Sequence, residues 1–600
     1  MLNYPKKILE DMNVDVLRRL TRLLDLPKSL SRKDDFINAL AHEVETNLQG
    51  VLKRMSEGER LLVAEAAYHD GRINPDVFSA KYCIPCSLPD RWMRPDKTGL
   101  TALMFQRSGL DVYDIPEGLA KVLASLLPQP TLAKVKTVDS LPASYIPPKR
   151  YSHSPGQPPR PIHVHEGEKA VFTELRRVLR LVQAGKIKVT DKGRRPTDSA
   201  VRLLSTALDS SDFDLKSPFE ETNKYEEKAG AVRAHAWGVL IQQCGWAKSK
   251  AGNLALTGPG KEMLNGPDVS RYKDGVEAFL NNDDFDELNR IDHIRGQSGG
   301  AKRYMTSPSE RKIPIADSIF DWPVNQWLSL EEAYRFAFAS GNDFTVTEQP
   351  LHLYFSEYQY GHFGDIKGEL ERQYLRALLM ESLATLGLVD TAYVFPHHLW
   401  PELGDRWGKD EMSFCSRYDG LLYVRLNGLG AFFFDISDTW TPPAAAEGNR
   451  NLFAILPNHE IAVTQSKKLS LDEIAGLEMC AILKSDYVWE LNTHQILTFF
   501  ESGGSMEEIT TFLRSNSSTG IPDAVGIFLG DVAGKVSSVK EGEEGLLFTV
   551  KDEATAALIA SDPDARKYCF LAGPDKLVVP KKNQRAFRSA LKKLGYIIPS

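Results

Sequence analysis

Residues 231 to 264 read AVRAHAWGVLIQQCGWAKSKAGNLALTGPGKEML. Val232, Ala236, Val239 and Leu240 fall at i, i+4, i+7 and i+8, so they share one face of a helix. Cys244-Gly245 is placed to end that helix. Trp246–Lys248 and Leu254–Leu256 then suit two short strands turned around Ser249–Asn253, and Thr257 can cap a further turn. The closing phrase Leu-Thr-Gly-Pro-Gly, Leu256 to Gly260, returns later as Leu-Asn-Gly-Leu-Gly, Leu426 to Gly430.

The second occurrence has matching surroundings. Leu375, Leu378, Leu379, Leu383 and Leu386 supply an apolar helix face and Leu421–Leu426 the returning strand, with a long insertion in the hairpin. A third pattern precedes the first: Phe172, Leu175, Val178, Leu179 and Val182 form a helix face. Lys186–Thr190 follows as a strand, and Pro196 stands near the first position of a further helix. A helix followed by a twisted hairpin is the second half of a winged helix, so a tandem array of such modules is expected. Winged helices lay a helix in the major groove and reach phosphate or minor groove with the hairpin, which makes basic tips the diagnostic feature. The candidates are Lys248 and Lys250 in one hairpin and the cluster Lys186, Lys188, Lys192, Arg194 and Arg195 in another. The plainer reading is a module that docks proteins.

Near the start, VLRRLTRLLDLPKSLSRKDDFINAL (16–40) gives two short amphipathic helices around a basic turn. It resembles a SAP-type helix-extended-helix motif, and the resemblance implies phosphate contact from Lys28, Arg32 and Lys33. The plainer reading is a small helical hairpin packed on its neighbour. At the other end, LNTHQI (491–496), ESGGSMEEI (501–509), IPDAV (521–525) and KYCFLAGPDKLVVPKKNQRAFRSALKKLGYII (567–598) are similar to the helicase-associated domain described as XPB-helicase-like. That resemblance runs from Asn451 to Ile598 and implies DNA processing beside a helicase motor; it brings no site residue. The basic tail helix offers Lys581, Lys582, Arg585 and Arg588, for phosphate or an acidic partner, against the plainer reading of a solvated helix face.

No phosphate-binding loop is legible. Such loops end in Gly-Lys-Ser/Thr, whereas the Gly-Lys pairs here continue as Ile187, Glu262, Asp410 and Val536. Gly296–Gly300, GQSGG, matches a nucleophile elbow around Ser298 but lacks the buried strand that must precede it. Cys83 and Cys86 form a lone Cys-x-x-Cys with no second pair to complete a zinc site. His163 and His165, like His397 and His398, read as solvated histidines, and the acidic run Asp283–Glu287 as a cap or solvated face.

With 600 residues, 42% of them hydrophobic and 26% charged, the chain is expected to form several ordinary globular domains. No run is long and apolar enough for a membrane helix, the start lacks a signal-peptide pattern, and six scattered cysteines suggest a reducing compartment, so the cytoplasm is expected. A net charge of -7 argues against a uniformly basic coat; nucleic-acid binding must come from local patches.

The expected fold class is α+β, predominantly helical, in a multi-domain array. Its parts are a SAP-like hairpin (1–48), a helical or winged-helix-like unit (49–127), a Pro-rich linker (128–168) and tandem winged-helix-like modules (169–275). A helical connector (276–345), a winged-helix-like module with a long insertion (346–440), a linker (441–450) and the helicase-associated domain (451–600) follow. The expected function is a non-enzymatic, cofactor-free subunit binding duplex DNA in a bacterial DNA-repair or anti-phage defence complex, beside a separate helicase or nuclease. Alternatives are a protein-interaction scaffold whose modules never touch DNA and a cryptic metal-dependent hydrolase.

Overall fold

The computed structural model describes the chain apart from residues 1–3, 28–29, 90–93, 109–111, 150–155, 209–228, 266–267, 292, 296–304, 350–353, 358–360, 364–367, 400–412, 442–450, 465–468, 470, 502–503, 539–542 and 599–600. It is α+β, with about 49% helix and 15% strand. Two compact units are present: residues 1–449 with 468–478, and residues 450–467 with 479–600.

The larger unit holds two copies of one topology. In the first, helix α6 (Gly167–Gln183) leads to an extended segment at Ile187–Val189, then α7 (Asp198–Ala207), α8 (Arg233–Gln243) and strands β2 (Ala247–Lys250) and β3 (Asn253–Leu256). Ile187–Val189 lies antiparallel along β3, with Leu254 N–H donating to Ile187 O at 2.8 Å and Val189 N–H to Gly252 O at 2.9 Å. The second copy runs α11 (Pro308–Phe320), β4 (Trp327–Ser329), α12 (Leu330–Ala339), α13 (Glu369–Ala377), β5 (Val389–Tyr393) and β6 (Leu421–Leu426). A wide helical turn over Leu378–Leu383 extends α13, and β4 again lies along the last strand, Leu328 opposite Val424.

The repeated phrase has a mechanical basis. Each third helix ends at a glycine in the left-handed region, Gly245 (φ +73°) and Gly387 (φ +69°). The next residue turns its N–H back into the helix: Trp246 to Ile241 O and Leu388 to Leu383 O, each 2.9 Å. After the hairpin, Thr257 and Asn427 brace the same turn, donating to Gly245 O (2.6 Å) and Gly387 O (2.9 Å). Both residues also accept from the amide three positions on, Gly260 (3.1 Å) and Gly430 (2.9 Å), and so cap short helices α9 (Gly258–Asn265) and α14 (Gly428–Phe433). A Cβ on Gly260 would stand 1.8 Å from Trp246 O, and one on Gly430 2.0 Å from Leu388 O. Only glycine fits either place.

Several expected divisions fall elsewhere. The patterns placed in tandem within 169–275 are parts of a single copy, because the strand of the first, Ile187–Val189, pairs with β3 of the second. Pro196 stands two residues before the first helical position, ahead of the capping residue Thr197. The expected connector at 276–345 supplies α11, β4 and α12, the first half of the second copy. Described parts of the Pro-rich segment are held by backbone bonding that leaves no apolar period: Val138 pairs with Trp327, and β1 (His163–His165) joins the outer edge of β5. The resulting sheet runs β1-β5-β6-β4, all antiparallel.

Toward the N-terminus, α1 (Val14–Leu23) is followed by α2 (Lys33–Arg54), which continues past the boundary expected at residue 48 because Leu48, Val51 and Leu52 prolong its buried face. One core extends from Tyr4 to Leu127. The smaller unit carries two antiparallel sheets. Strands Phe453–Ile455, Glu460–Val463, Val488–Leu491 and Ala481–Ser485 are adjacent in that order, as are Gly545–Thr549, Lys576–Pro580 and Phe570–Gly573. Helix α15 (Leu471–Glu478) belongs to the larger unit, packing on α6 and α7. Among the described residues, no helix is long and apolar enough to cross a membrane.

Candidate nucleic-acid interface

The hairpin of the first copy turns through Ala251 (φ 49°) and Gly252 (φ 78°), both left-handed, the combination that matches a two-residue turn to the strand twist. Its register sets Lys250 opposite Asn253 and Lys248 opposite Ala255, while on the far side of β3 Lys188 is opposite Asn253. Residues directly opposite share a face. Lys188, Lys248 and Lys250 therefore project from one side of a three-stranded sheet, and all are exposed. The other side carries Ile187, Val189 and Leu254, which are buried. Lys192 is exposed in the turn leading from that sheet to α7. Neighbouring strands lie about 4.8 Å apart, so the row is compact. No acidic side chain among the described residues pairs with these four lysines.

Most other cations expected to meet phosphate are already engaged, Arg32 and Arg585 excepted. Lys186 pairs with Glu478 at 2.5 Å. Arg194, at φ 51°, pairs with Asp284 at 3.0 Å and lies over the Phe285 ring. Arg195 is half-buried and lines a small cavity with His235, Gln243, Arg290 and Glu381. Lys33 donates to Glu10 O at 2.6 Å; Arg32 is exposed and its N–H donates to Asp35 at 3.0 Å. Lys28 lies outside the described residues. In the tail, Lys581 pairs with Glu544 at 2.7 Å, Lys582 with Glu543, and Arg588 donates to Ile598 O at 3.1 Å, leaving Arg585 exposed. Glu543 and Glu544 lie far from the tail in sequence, so the cluster read as more basic than it is. The second copy's hairpin is neutralised too: Arg425 pairs with Asp390 at 2.7 Å and covers Trp327.

The helices expected to enter the groove are covered. In α8 only Val239 and Gln242 are half-buried; every other residue is buried. From Gln373 through the wide turn to Asp390 the second copy is buried throughout. The two segments face each other across ionised groups. Glu381 accepts from Tyr418 and is met by Arg290 Nε at 3.3 Å and His235 Nδ1 at 3.5 Å. Burial pushes the Glu381 carboxyl up, but Arg290, His235 and Tyr418 outweigh it and hold it down at about 2. Glu174 likewise bridges Arg233 and the Trp237 indole N–H, the latter at 3.1 Å. Of the run read as a cap or solvated face, Asp286 does cap the turn at Glu287–Arg290, accepting from Leu288 N–H at 2.9 Å, and also pairs with buried Arg311 at 2.8 Å, while Glu287 is buried and accepts from Tyr374 at 3.2 Å. Sequence reasoning missed these groups, since a lone carboxylate on an apolar helix face does not reveal its distant partner.

The remaining candidates separate cleanly. Ser298 lies outside the described residues. Cys83 is exposed and Cys86 half-buried; burial pushes the Cys86 thiol up to about 11, which keeps it protonated. Among the described residues no group of three or more His, Cys, Asp or Glu side chains is placed to hold a metal. His165 and His397 are buried rather than solvated. His397 stacks on Phe395 with ring centres 4.4 Å apart. His165 is pinned by β1 joining β5, and burial, reinforced by Arg233, lowers its pKa to about 3.

A depressed histidine pKa means that the unfolded chain binds the proton more readily. Stability from this group is complete above about 6.5, the unfolded value, and is lost as pH falls from there toward 3. His165→Gln should flatten the stability–pH profile between pH 6 and 4 by up to about 1.4 kcal/mol per unit. Chemical denaturation across that range checks it; parallel profiles for both proteins would contradict the buried neutral imidazole.

Comparison with protein-family models finds no match, and comparison with curated proteins finds none either.

Proposed function

We propose that this chain is a non-enzymatic, cofactor-free nucleic-acid-binding subunit. It holds duplex DNA by its phosphates on the sheet face of the first copy. Order of elements, with an early strand lying along the last, supports reading both copies as winged helices. The single observation that carries the proposal is the row Lys188, Lys248 and Lys250, with Lys192 beside it, exposed and unmatched by any acid among the described residues.

The covered helices decide the mode. A helix buried between two modules has no face to offer base edges, so contact falls to the sheet and reads charge rather than sequence. Four phosphate contacts give a slope of about -3.6 in log affinity against log salt, or about a 100-fold loss between 50 and 200 mM. The helicase-associated resemblance at the C-terminus and the missing phosphate loop support a place in a bacterial repair or anti-phage defence complex whose motor or nuclease is another polypeptide. Titrating two labelled duplexes of unrelated sequence at these salt concentrations tests the reading. Equal affinities that fall together with salt are expected; strong preference for one sequence, or no binding at low salt, would overturn it.

A protein-docking scaffold is the second reading. The same buried helices favour it, because they remove the usual base-reading element.

A further inference from the structure

The two copies differ at one edge. In the second, β5 is covered on its outer side by β1, with Thr391 opposite His165 and Ala392 opposite Val164. In the first, the equivalent strand β2 has β3 on one side and no strand on the other among the described residues. The registers superimpose directly, since Leu256 and Leu426 each precede the capping residue: Ala247 corresponds to Val389, Lys248 to Asp390 and Ser249 to Thr391.

Backbone polarity identifies the free groups. Gly252 and Leu254 bond outward from β3 to the segment at Ile187–Val189, so Asn253 and Ala255 are the residues bonded to β2. Antiparallel ladders alternate, so Lys250 and Lys248 face β3, while Ser249, half-buried, turns its N–H and C=O away from it; Ala247 points the same way but is buried. Ser249 thus stands where Thr391 meets the added strand in the other copy. Beside this edge the side chains also differ: Lys248 and Lys250 take the places of Asp390 and Ala392. Opposite charges on adjacent strands attract, and like charges repel.

We infer that the β2 edge is a docking site for an extended acidic segment of a partner protein. That segment adds as an antiparallel strand with carboxylates at alternate positions over Lys248 and Lys250. The inference goes beyond phosphate binding, because it uses the outward amide and carbonyl groups of Ser249, which the lysine face does not need.

The test uses the full chain and a labelled, end-blocked peptide, Gly-Glu-Val-Glu-Val-Glu-Val-Gly, read by fluorescence anisotropy. Ser249→Pro removes an outward N–H without touching a bond to β3. Submillimolar binding by the unaltered protein is expected, with at least tenfold loss in Ser249→Pro, while duplex DNA affinity stays unchanged. A second probe keeps the test independent of the variant's folding: the same peptide N-methylated at alternate residues, whose donors are blocked, should lose binding to the unaltered protein to the same degree. A peptide with lysine in place of glutamate should not bind. Equal binding of the N-methylated peptide, equal binding of the lysine peptide, or no binding of the acidic one would each overturn the inference. Loss of peptide binding with DNA binding intact separates this site from the phosphate-binding reading.

Discussion

Glu381→Leu is expected to destabilise the larger unit by about 3 kcal/mol, the cost of removing the buried member of an ion pair. The carboxylate is the only acid among the described residues reaching both Arg290 and His235, at 3.3 and 3.5 Å, and it also takes the Tyr418 hydroxyl. Leucine fills the volume but removes the carboxylate from half-buried Arg290, which keeps its bond to Ala231 O at 2.9 Å, and takes the acceptor from the buried Tyr418 hydroxyl. Glu381→Gln retains an acceptor for Tyr418 and should cost less. Urea unfolding followed by fluorescence of Trp237 and Trp246, both buried in this unit, measures the difference. If leucine proves neutral, the two copies are held by their apolar contacts alone. The pH dependence has the same sign as that of His165: a carboxyl held at about 2 contributes stability that is lost as pH falls from its ordinary value through 2.

Gly430→Ala should cost about 3 kcal/mol or more, because the added methyl meets backbone rather than a movable side chain. Leu388 O lies 2.0 Å from the new Cβ and Leu426 Cδ1 2.6 Å, so α14 must move off the turn that Asn427 braces. In a unit as large as this one, residues 1–449 with 468–478, that lowers the melting temperature by roughly 3 °C. Gly260→Ala, with Trp246 O at 1.8 Å, should behave alike. A pair of alanine variants melting with the parent protein would mean that the repeated phrase is not a packing device.

The helix-turn-hairpin phrase was legible because three local constraints coincide in it: an apolar period, a left-handed glycine and a capping side chain. What stayed hidden required partners distant in sequence. Lys581 and Lys582 read as available until Glu543 and Glu544 came beside them across a sheet. His165 read as solvated because a strand of three residues carries too little pattern to announce that it closes a sheet edge. The boundary between the halves of the first copy was misplaced for the same reason: Ile187–Val189 pairs with β3, more than sixty residues on, and nothing local says so. Of the candidate surface, the sequence located Lys188, Lys192, Lys248 and Lys250 in two separate clusters; register alone brings them together.

The most direct test of the account is the salt dependence of duplex binding by a variant with Lys188, Lys192, Lys248 and Lys250 all replaced by alanine. Exposed positions of this kind usually change stability by no more than about 0.5 kcal/mol each, so a folded protein is expected. Each phosphate contact contributes about 0.9 to the slope of log affinity against log salt, and the variant's slope should therefore flatten by up to about 3.6. Alanine at Lys581, Lys582, Arg585 and Arg588 should leave the slope where it was. A quadruple variant that folds and keeps the parent slope, or a tail variant that loses it, would contradict the assignment of the nucleic-acid surface to this sheet.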